Sequence, residues 1–431
     1  MLAAGLLAPA VAAHGASFGA PRTLGTTTSD LGGATLVVTD GGRAAWAAPS
    51  MAGKHLFVVT RGRSGGFSSL RKVALPGRAP AWPIPIPLAR LALDEQGRMV
   101  TMVFRHRNDG PDCCTFPAGV FMDSAARVTG TQALESRKRN SLGILHWNST
   151  GTAAVMTHGR ELGLALARPG QRFRSVALPK AVKDDAFTIL GPGRRLAVWL
   201  HDRQDRAAVV FGDGDGDWSG TRTLGGPRKD RDVWHLPLVF GPSDRALAIF
   251  RYVDYSGETG TLHAVWVRGT RVERRQKVAT IKYPEPAKHH AVAAIDAAGR
   301  GTVVWSDGRA LKVAHASPGG EFGSPKVAWR APQDHEIWGL NADGARSGAV
   351  AAWLSNGLTR DAAPDAALLS ELRPGVAPRT PKTLGRQGDG KERVGAPFVG
   401  LDSSGGGLAT WWETGADGRY RWRAAVRGGA R

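Results

Sequence analysis

The 431-residue chain has 42% apolar and 22% charged residues, a balance that excludes an intrinsically disordered protein. Its two cysteines, Cys113 and Cys114, are adjacent, which excludes a disulfide-rich scaffold and a cysteine-ligated zinc site. The formal net charge of +20 indicates contact with anions. The alternative is that an Arg-rich composition alone produces this charge, because the basic residues are scattered and form no long run.

The chain begins with an apolar stretch that resembles the end of a secretory signal peptide. This stretch contains the cleavage-type triplet Ala10-Val11-Ala12, although the basic residues that open such a peptide are missing. We therefore predict a signal-peptide remnant over residues 1–15, and a protein that is secreted or held in the cell envelope. No other segment approaches the ~20 apolar residues of a membrane span.

From residue 16 onward, a unit of roughly 50 residues recurs eight times along the chain. Each unit contains an apolar run, an Asp-x-x-Gly turn or a relative of it, and a second apolar run that reaches a large apolar anchor. The clearest turns are Asp296–Gly299 and Asp402–Gly405. The anchors are Trp46, Phe104, Met156, Trp199, Phe250, Trp305, Trp353 and Trp411. Short apolar runs separated by turn residues predict β-strands, and no helical period is sustained.

Each unit contains four predicted strands, which we call A to D. In the sixth unit they are Val292–Ile295, Gly301–Trp305, Leu311–His315 and Phe322–Val327. Such units predict an all-β fold, a single eight-bladed β-propeller of four-stranded antiparallel blades, with seven blades as the alternative. The chain ends in a C-type strand, Tyr420–Val426, and begins with an orphan D-type strand, Phe18–Leu24. We therefore predict one propeller over residues 16–431, with the N-terminal strand closing the last blade.

This organisation resembles the secreted β-propellers with degenerate sialidase-like (BNR-type) repeats. The Asp-box of that family, Ser-x-Asp-x-Gly-x-x-Trp, is not present as such, and the Asp-x-x-Gly turn lies between strands A and B rather than C and D. The resemblance implies a site in which Tyr, Glu and Asp residues act on an acidic sugar. The matching residues in the fifth unit are Tyr252, Asp254, Tyr255 and Glu258.

A ligand-binding surface is predicted on the face of the propeller that carries the D–A and B–C loops. Basic residues in or beside these loops suit an anionic ligand, since guanidinium groups pair with carboxylates in a bidentate manner. The candidates are Arg105, His106, Arg107, His158, Arg203, Arg231 and Arg251.

We expect the protein to bind its ligand without a cofactor. As an alternative, two sequence patterns suggest metal sites. His235, His290 and His335 each lie six residues before a predicted A–B turn position, at Gly241, Asp296 and Asn341. Three converging imidazoles would bind a transition metal. The alternative is that this register favours a polar aromatic residue for packing. The alternating carboxylates Asp213, Asp215 and Asp217 resemble a Ca²⁺ loop. They also occupy a C–D turn, so a polar hairpin explains them equally.

Together these features predict a monomeric, non-catalytic extracellular protein that binds an anionic polymer or a polysaccharide. The first alternative is a glycoside hydrolase or lyase that acts on acidic sugars, and the second is a protein–protein interaction scaffold. The sequence contains no P-loop, dinucleotide-binding fingerprint or specific nucleic-acid motif.

Overall fold

A computed structural model of the chain contains eight antiparallel sheets of four strands each, arranged as a ring. This confirms the eight-bladed β-propeller and excludes the seven-bladed alternative. The structure describes residues 17–29, 31, 34–50, 53–76, 91–106, 115–134, 142–148, 150–158, 162–168, 170–179, 182, 187–191, 195–201, 206–213, 215–225, 231–242, 244–254, 259–282, 291–345, 348–358, 364–388 and 393–428. The predicted signal-peptide remnant, 1–15, lies outside these residues.

The first four blades follow the chain order of their strands from the inside outward. Blade 1 comprises β2 (Thr35–Val38), β3 (Ala44–Pro49), β4 (His55–Arg61) and β5 (Arg71–Ala74). Blade 2 comprises β6 (Leu91–Leu93), β7 (Met99–His106), β8 (Thr115–Met122) and β9 (Val128–Ala133). Blade 3 comprises β10 (Leu142–Trp147), β11 (Ala153–His158), β12 (Leu162–Ala167) and β13 (Arg174–Val176). Blade 4 comprises β14 (Phe187–Leu190), β15 (Leu196–His201), β16 (Ala207–Gly212) and β17 (Arg222–Thr223).

The last four blades repeat this arrangement with one exception, which closes the ring. Blade 5 comprises β18 (Arg231–Phe240), β19 (Arg245–Asp254), β20 (Thr259–Arg268) and β21 (Arg271–Lys282). Blade 6 comprises β22 (Ala291–Ile295), β23 (Gly301–Asp307), β24 (Ala310–Ala316) and β25 (Lys326–Arg330). Blade 7 comprises β26 (His335–Ala345), β27 (Gly348–Gly357), β28 (Ala366–Leu372) and β29 (Lys382–Arg386). Blade 8 comprises β30 (Phe398–Leu401), β31 (Gly407–Thr414), β32 (Tyr420–Arg427) and β1 (Arg22–Thr27).

Blade 8 is built from both ends of the chain. β1 pairs antiparallel with β32, so the N-terminal segment supplies the outermost strand of the last blade. Phe18 precedes this strand, forms an isolated bridge with Arg427 and is buried. The last C-type strand of the chain therefore does not present an unpaired edge to solvent.

The first strand of each blade lies innermost, because neighbouring blades meet around the centre through these strands, as β18 meets β22 and β30 meets β2. Antiparallel order then puts the A–B and C–D turns, such as 39–43 and 62–66, on one face, which we call the turn face. The D–A and B–C loops, such as 331–334 and 307–310, form the opposite loop face.

The predicted anchors all lie on the second strand of their blade, and those whose burial is described pack between neighbouring sheets. Trp305, Trp353 and Trp411 have no measurable exposure, and Phe250 is 1% exposed. Burial of such large side chains is the main contribution that one blade makes to holding the next.

The Asp-x-x-Gly signature forms the A–B turn, where it ties one blade to another. One Asp296 carboxylate oxygen accepts hydrogen bonds from the N–H groups of Ala298 (3.0 Å) and Arg300 (2.9 Å). The other accepts from Arg300 Nε (2.7 Å) and from the N–H of Gly348 in blade 7 (2.8 Å). Gly299 has φ of 78°, a conformation that favours glycine.

Two predicted positions are wrong by a few residues. Asn341 was expected at the A–B turn of blade 7, but it lies within β26, whose partner strand begins at Gly348. β26 stays paired with β27 as far as Ala345 and Gly348, so the turn comes four residues later than expected. In the sixth unit, the D strand begins at Lys326, because Phe322 forms only an isolated bridge with Ala316 before the ladder starts.

Candidate functional site

For most of the predicted loop-face candidates, the structure either describes only the backbone or does not describe the residue. Those outside the described residues are Arg107, Arg203, Tyr255, Glu258, His290, Cys113 and Cys114. Those with a described backbone, which is a strand in each case, are Arg105, His106, His158, Arg231, His235 and Asp254.

The fifth-unit cluster was expected in a loop, but the structure places its first members inside the sheet. β19 extends through Asp254, so Arg251 and Tyr252 are strand residues, with exposures of 2% and 4%. The Tyr252 ring packs against Phe250 (centroids 5.4 Å apart) and His263 (5.0 Å), within the core between blades 4 and 5. These two side chains therefore contribute to packing rather than to a surface that meets a ligand.

The proposed histidine alignment does not hold for blade 7. His335 is the first residue of β26 and pairs with Gly357, whereas His235 pairs with the anchor Phe250. β26 continues further past its histidine than β18 does, so equal sequence spacing does not give equal position. His335 is 1% exposed, and its Nδ1 lies 2.8 Å from the hydroxyl of Ser355.

The alternating aspartates form a polar hairpin at the C–D turn of blade 4. Asp213 accepts a hydrogen bond from the N–H of Asp215 (2.9 Å). The Asp215 carboxylate pairs with Arg168 (3.0 Å) and Arg174 (2.6 Å) of blade 3. The middle carboxylate of the series thus links two blades. No group of three or more His, Cys, Asp or Glu side chains within the described ranges is arranged to hold a metal ion.

The outer edge of the propeller carries a concentration of positive charge that the sequence did not reveal. Seven of the eight outer strands begin with Arg or Lys, and in the eighth, β9, Arg127 stands immediately before the strand. These first residues are Arg22, Arg71, Arg174, Arg222, Arg271, Lys326 and Lys382. The outer strands hold one acidic residue, Glu273. We call this set of strand-opening residues, together with Arg127, the basic rim.

Several rim residues occupy the same position in their blades. Arg71, Arg222 and Lys326 pair with Val58, Val209 and Val313, near the middle of the third strand. An apolar residue directly opposite cannot neutralise the charge, and it gives the aliphatic part of the long side chain a surface to cover. All three side chains are exposed and form no ion pair with any residue that the structure describes.

Two clefts open on the turn face, at equivalent junctions between blades. The cleft between blades 2 and 3 has a volume of about 250 Å³, and the cleft between blades 4 and 5 has about 400 Å³. Arg98 and Arg195 occupy matching positions, each at the end of an A–B turn. Met122 and Gly212 take the same position in the two blades, and the space beside Gly212 is occupied by the ring of Trp218, which also lines the second cleft.

An arginine recurs at the end of the A–B turn, and it marks this turn in the sequence. It follows the turn glycine or its equivalent in five units, as Arg43, Arg98, Arg195, Arg245 and Arg300. Three of these arginines donate a hydrogen bond to a group in their own turn or in the next blade. Arg98 donates to Asp94 (2.7 Å), Arg300 to Asp296 (2.7 Å) and Arg43 to the carbonyl of Glu95 (2.8 Å).

No protein-family model matches the sequence, and no curated protein matches it. Solved structures with the same fold do exist. The WD40 domain of SCAP from fission yeast has 8% identity, covers 96% of this chain and 98% of its own, and superposes with a TM-score of 0.52. The BP39L lectin from Burkholderia pseudomallei has 14% identity, with 84% of this chain and 100% of the lectin covered, at a TM-score of 0.48.

A further similarity is to a multidomain protein. Prolyl oligopeptidase B from Galerina marginata has 11% identity and a TM-score of 0.43, with 77% of this chain covered but only 47% of that protein. The chain therefore spans about half of that protein. At these identities the comparisons show a β-propeller and no more. In the described part of the chain, no helix has the length and apolar character needed to cross a membrane.

Proposed function

We propose that this protein binds an anionic polysaccharide along its basic rim and does not transform it chemically. The observation that carries the proposal is the charge of the outer strands, where exposed Arg and Lys side chains recur from blade to blade and one acidic residue interrupts them. Clustered charge of one sign raises the local concentration of a polymer of the opposite sign and speeds its association.

Glu273, the acidic exception, does little to offset this charge. Its carboxylate pairs with Arg245 of the A–B turn (2.9 Å), so it is committed to a contact at the turn face. One rim cation, Arg174, is paired with Asp215 (2.6 Å), and a further cation of β21, Arg274, is paired with Glu321. The net charge of the rim therefore stays strongly positive.

The shape of the rim favours a flexible polysaccharide over nucleic acid. The outer strands follow the convex circumference of the ring, and duplex DNA, with a persistence length of about 50 nm, resists bending around such a surface. Single-stranded nucleic acid is usually held by aromatic stacking platforms. The outer strands contain one aromatic residue, Trp329, which is half-buried against Trp353 (5.5 Å).

We also propose that the protein is exported, which the predicted signal-peptide remnant supports. Acidic polysaccharides are abundant in cell walls and matrices, so an exported protein would meet this ligand. The hydrolase alternative gains no support, since Tyr252 and Arg251 are buried in the sheet.

Binding of a charged and an uncharged polymer tests the proposal. We expect polygalacturonate to bind with an affinity that falls by about 100-fold between 50 and 200 mM NaCl, because each neutralised charge releases a counterion. Dextran should not bind. Equal affinity for both polymers, or an affinity for polygalacturonate that salt does not change, would contradict the proposal.

A further inference from the structure

The wider of the two clefts, between blades 4 and 5, has the features of a second binding site. It opens on the turn face, with a volume of about 400 Å³. Blade 4 contributes Phe211, Asp217 and Trp218, and blade 5 contributes Phe240 and Asp244. Aromatic and polar groups therefore converge in a space large enough for a sugar ring.

The aromatic side of this cleft is held in a fixed arrangement. Phe211 and Phe240 meet edge to face, with centroids 6.5 Å apart and planes at 79°. The Trp218 ring lies against the backbone of Gly212, where a Cβ atom would come within 2.6 Å of the ring. The indole N–H of Trp218 donates to the carbonyl of Ala177 at 2.8 Å, which fixes the orientation of the ring. Such a preorganised surface costs little conformational entropy when a ligand covers it.

The polar groups of the cleft lie mostly around its opening. Arg195 and Asp244 form an ion pair that joins the two blades, and burial lowers the pKa of Arg195. Asp217 is exposed, and its carboxylate has no hydrogen-bond or ion-pair partner among the described residues. Asp213 uses one oxygen to accept the N–H of Asp215. Carboxylate oxygens thus remain available to accept hydrogen bonds from a ligand.

At two other junctions of the ring, the matching arginine is paired with a carboxylate. Between blades 5 and 6, Arg245 pairs with Glu273 at 2.9 and 3.4 Å, and Gly319 of the next blade lies directly against both. Between blades 6 and 7, Arg300 folds back onto Asp296, which also bonds the next blade.

We propose that this cleft binds one ring of a neutral sugar. Sugar rings present C–H faces that pack on aromatic rings, and hydroxyl groups that donate to carboxylates. Asp213, Asp217 and Asp244 outnumber Arg195, so the negative balance disfavours an anionic sugar. The site differs from the basic rim in place, in charge and in ligand, and it does not depend on the function proposed for the rim.

Calorimetric titration with neutral disaccharides tests the inference, with cellobiose, diacetylchitobiose, mannobiose and lactose as probes and digalacturonate as the charged counterpart. At least one neutral probe should bind saturably, with an affinity that changes little between 50 and 200 mM NaCl, while digalacturonate should not bind. Asp217→Asn should weaken the binding about tenfold, because a charged acceptor is lost. Trp218→Phe should weaken it about fivefold, because it keeps the apolar volume but reduces the stacked surface.

Glu321→Gln supplies the matched control, since Glu321 precedes Phe322 at the turn of blade 6 as Asp217 precedes Trp218 in blade 4. It should bind the neutral probe as the wild type does. The inference is overturned if no neutral probe binds, if digalacturonate binds equally, or if Asp217→Asn leaves the affinity unchanged. Polygalacturonate binding by the same variants reports on the rim separately.

Discussion

Deletion of residues 1–29 should leave a chain that no longer unfolds in a single cooperative transition. The deletion removes β1, and with it the outer strand of blade 8, so β32 is left with an open edge. It also removes Phe18, which is 4% exposed and packs in the cluster around Trp411. The loss of one such side chain costs about 3–5 kcal/mol, against a total of about 5–15 kcal/mol for a typical domain.

The deleted segment also holds blade 8 to blade 7. Lys382 of blade 7 donates to the carbonyls of Phe18 and Gly19, and Arg423 donates to the Thr23 hydroxyl at 2.6 Å. Removing the segment therefore weakens two blades at once. We expect the thermal transition, followed by circular dichroism, to broaden and shift down by more than about 10 °C.

Two controls separate ring closure from a general effect of truncation. Phe18→Leu retains an apolar side chain and should cost only about 1 kcal/mol. A synthetic peptide spanning residues 17–29, added to the truncated chain, should restore part of the lost stability, because β1 contributes through noncovalent pairing. A truncated chain that melts within a few degrees of the full chain would show that β1 is dispensable.

Reversing three charges of the basic rim should nearly abolish binding of an anionic polymer. In the variant Arg71→Glu, Arg222→Glu, Lys326→Glu, the three substituted residues share one register on three blades and form no ion pair with a described residue. A basic residue near a polyanionic surface contributes about 1 kcal/mol, and the reversed charge adds repulsion. We expect the affinity for polygalacturonate at 50 mM NaCl to fall by at least about 100-fold.

The control variant carries the same change of net charge on the loop face. Lys54→Glu, Arg393→Glu, Arg419→Glu alters exposed residues of the D–A and B–C loops. If the rim is the binding surface, this variant should lose less than about threefold in affinity, through the smaller total charge alone. A larger loss of affinity in the loop-face variant than in the rim variant would show that the polymer binds to the loop face, as the sequence predicted.

Much of the architecture was predictable because its signals are local. The Asp296–Gly299 turn and the anchor at Trp305 lie within ten residues of each other, so turn chemistry and burial mark each blade separately. The prediction was wrong where the repeat itself changes. In blade 7, β26 extends to Ala345 before the chain turns, so Asn341 lies within the strand and His335 is out of the register of His235.

The binding surfaces were harder to predict from the sequence, because the residues that form them are far apart in the chain. Arg71, Arg222 and Lys326 are widely separated in the chain, and they belong together only when the outer strand of each blade is known. Arg251 and Tyr252 looked like loop residues because charged and polar side chains follow them, yet the strand continues and buries both. The cleft between blades 4 and 5 is lined by residues of two blades, such as Trp218 and Phe240, which only the fold brings together.

Protection of lysines from acetylation by bound polygalacturonate locates the binding surface most directly. Lys72, Lys277 and Lys326 are exposed lysines of the outer strands, and Lys54 is an exposed lysine of the loop face. Mass spectrometry should show slower acetylation of Lys72, Lys277 and Lys326 when the polymer is bound, with Lys54 unchanged. Protection of Lys54 while the three outer-strand lysines react as in the absence of polymer would contradict the central claim, that the basic rim is the surface that binds.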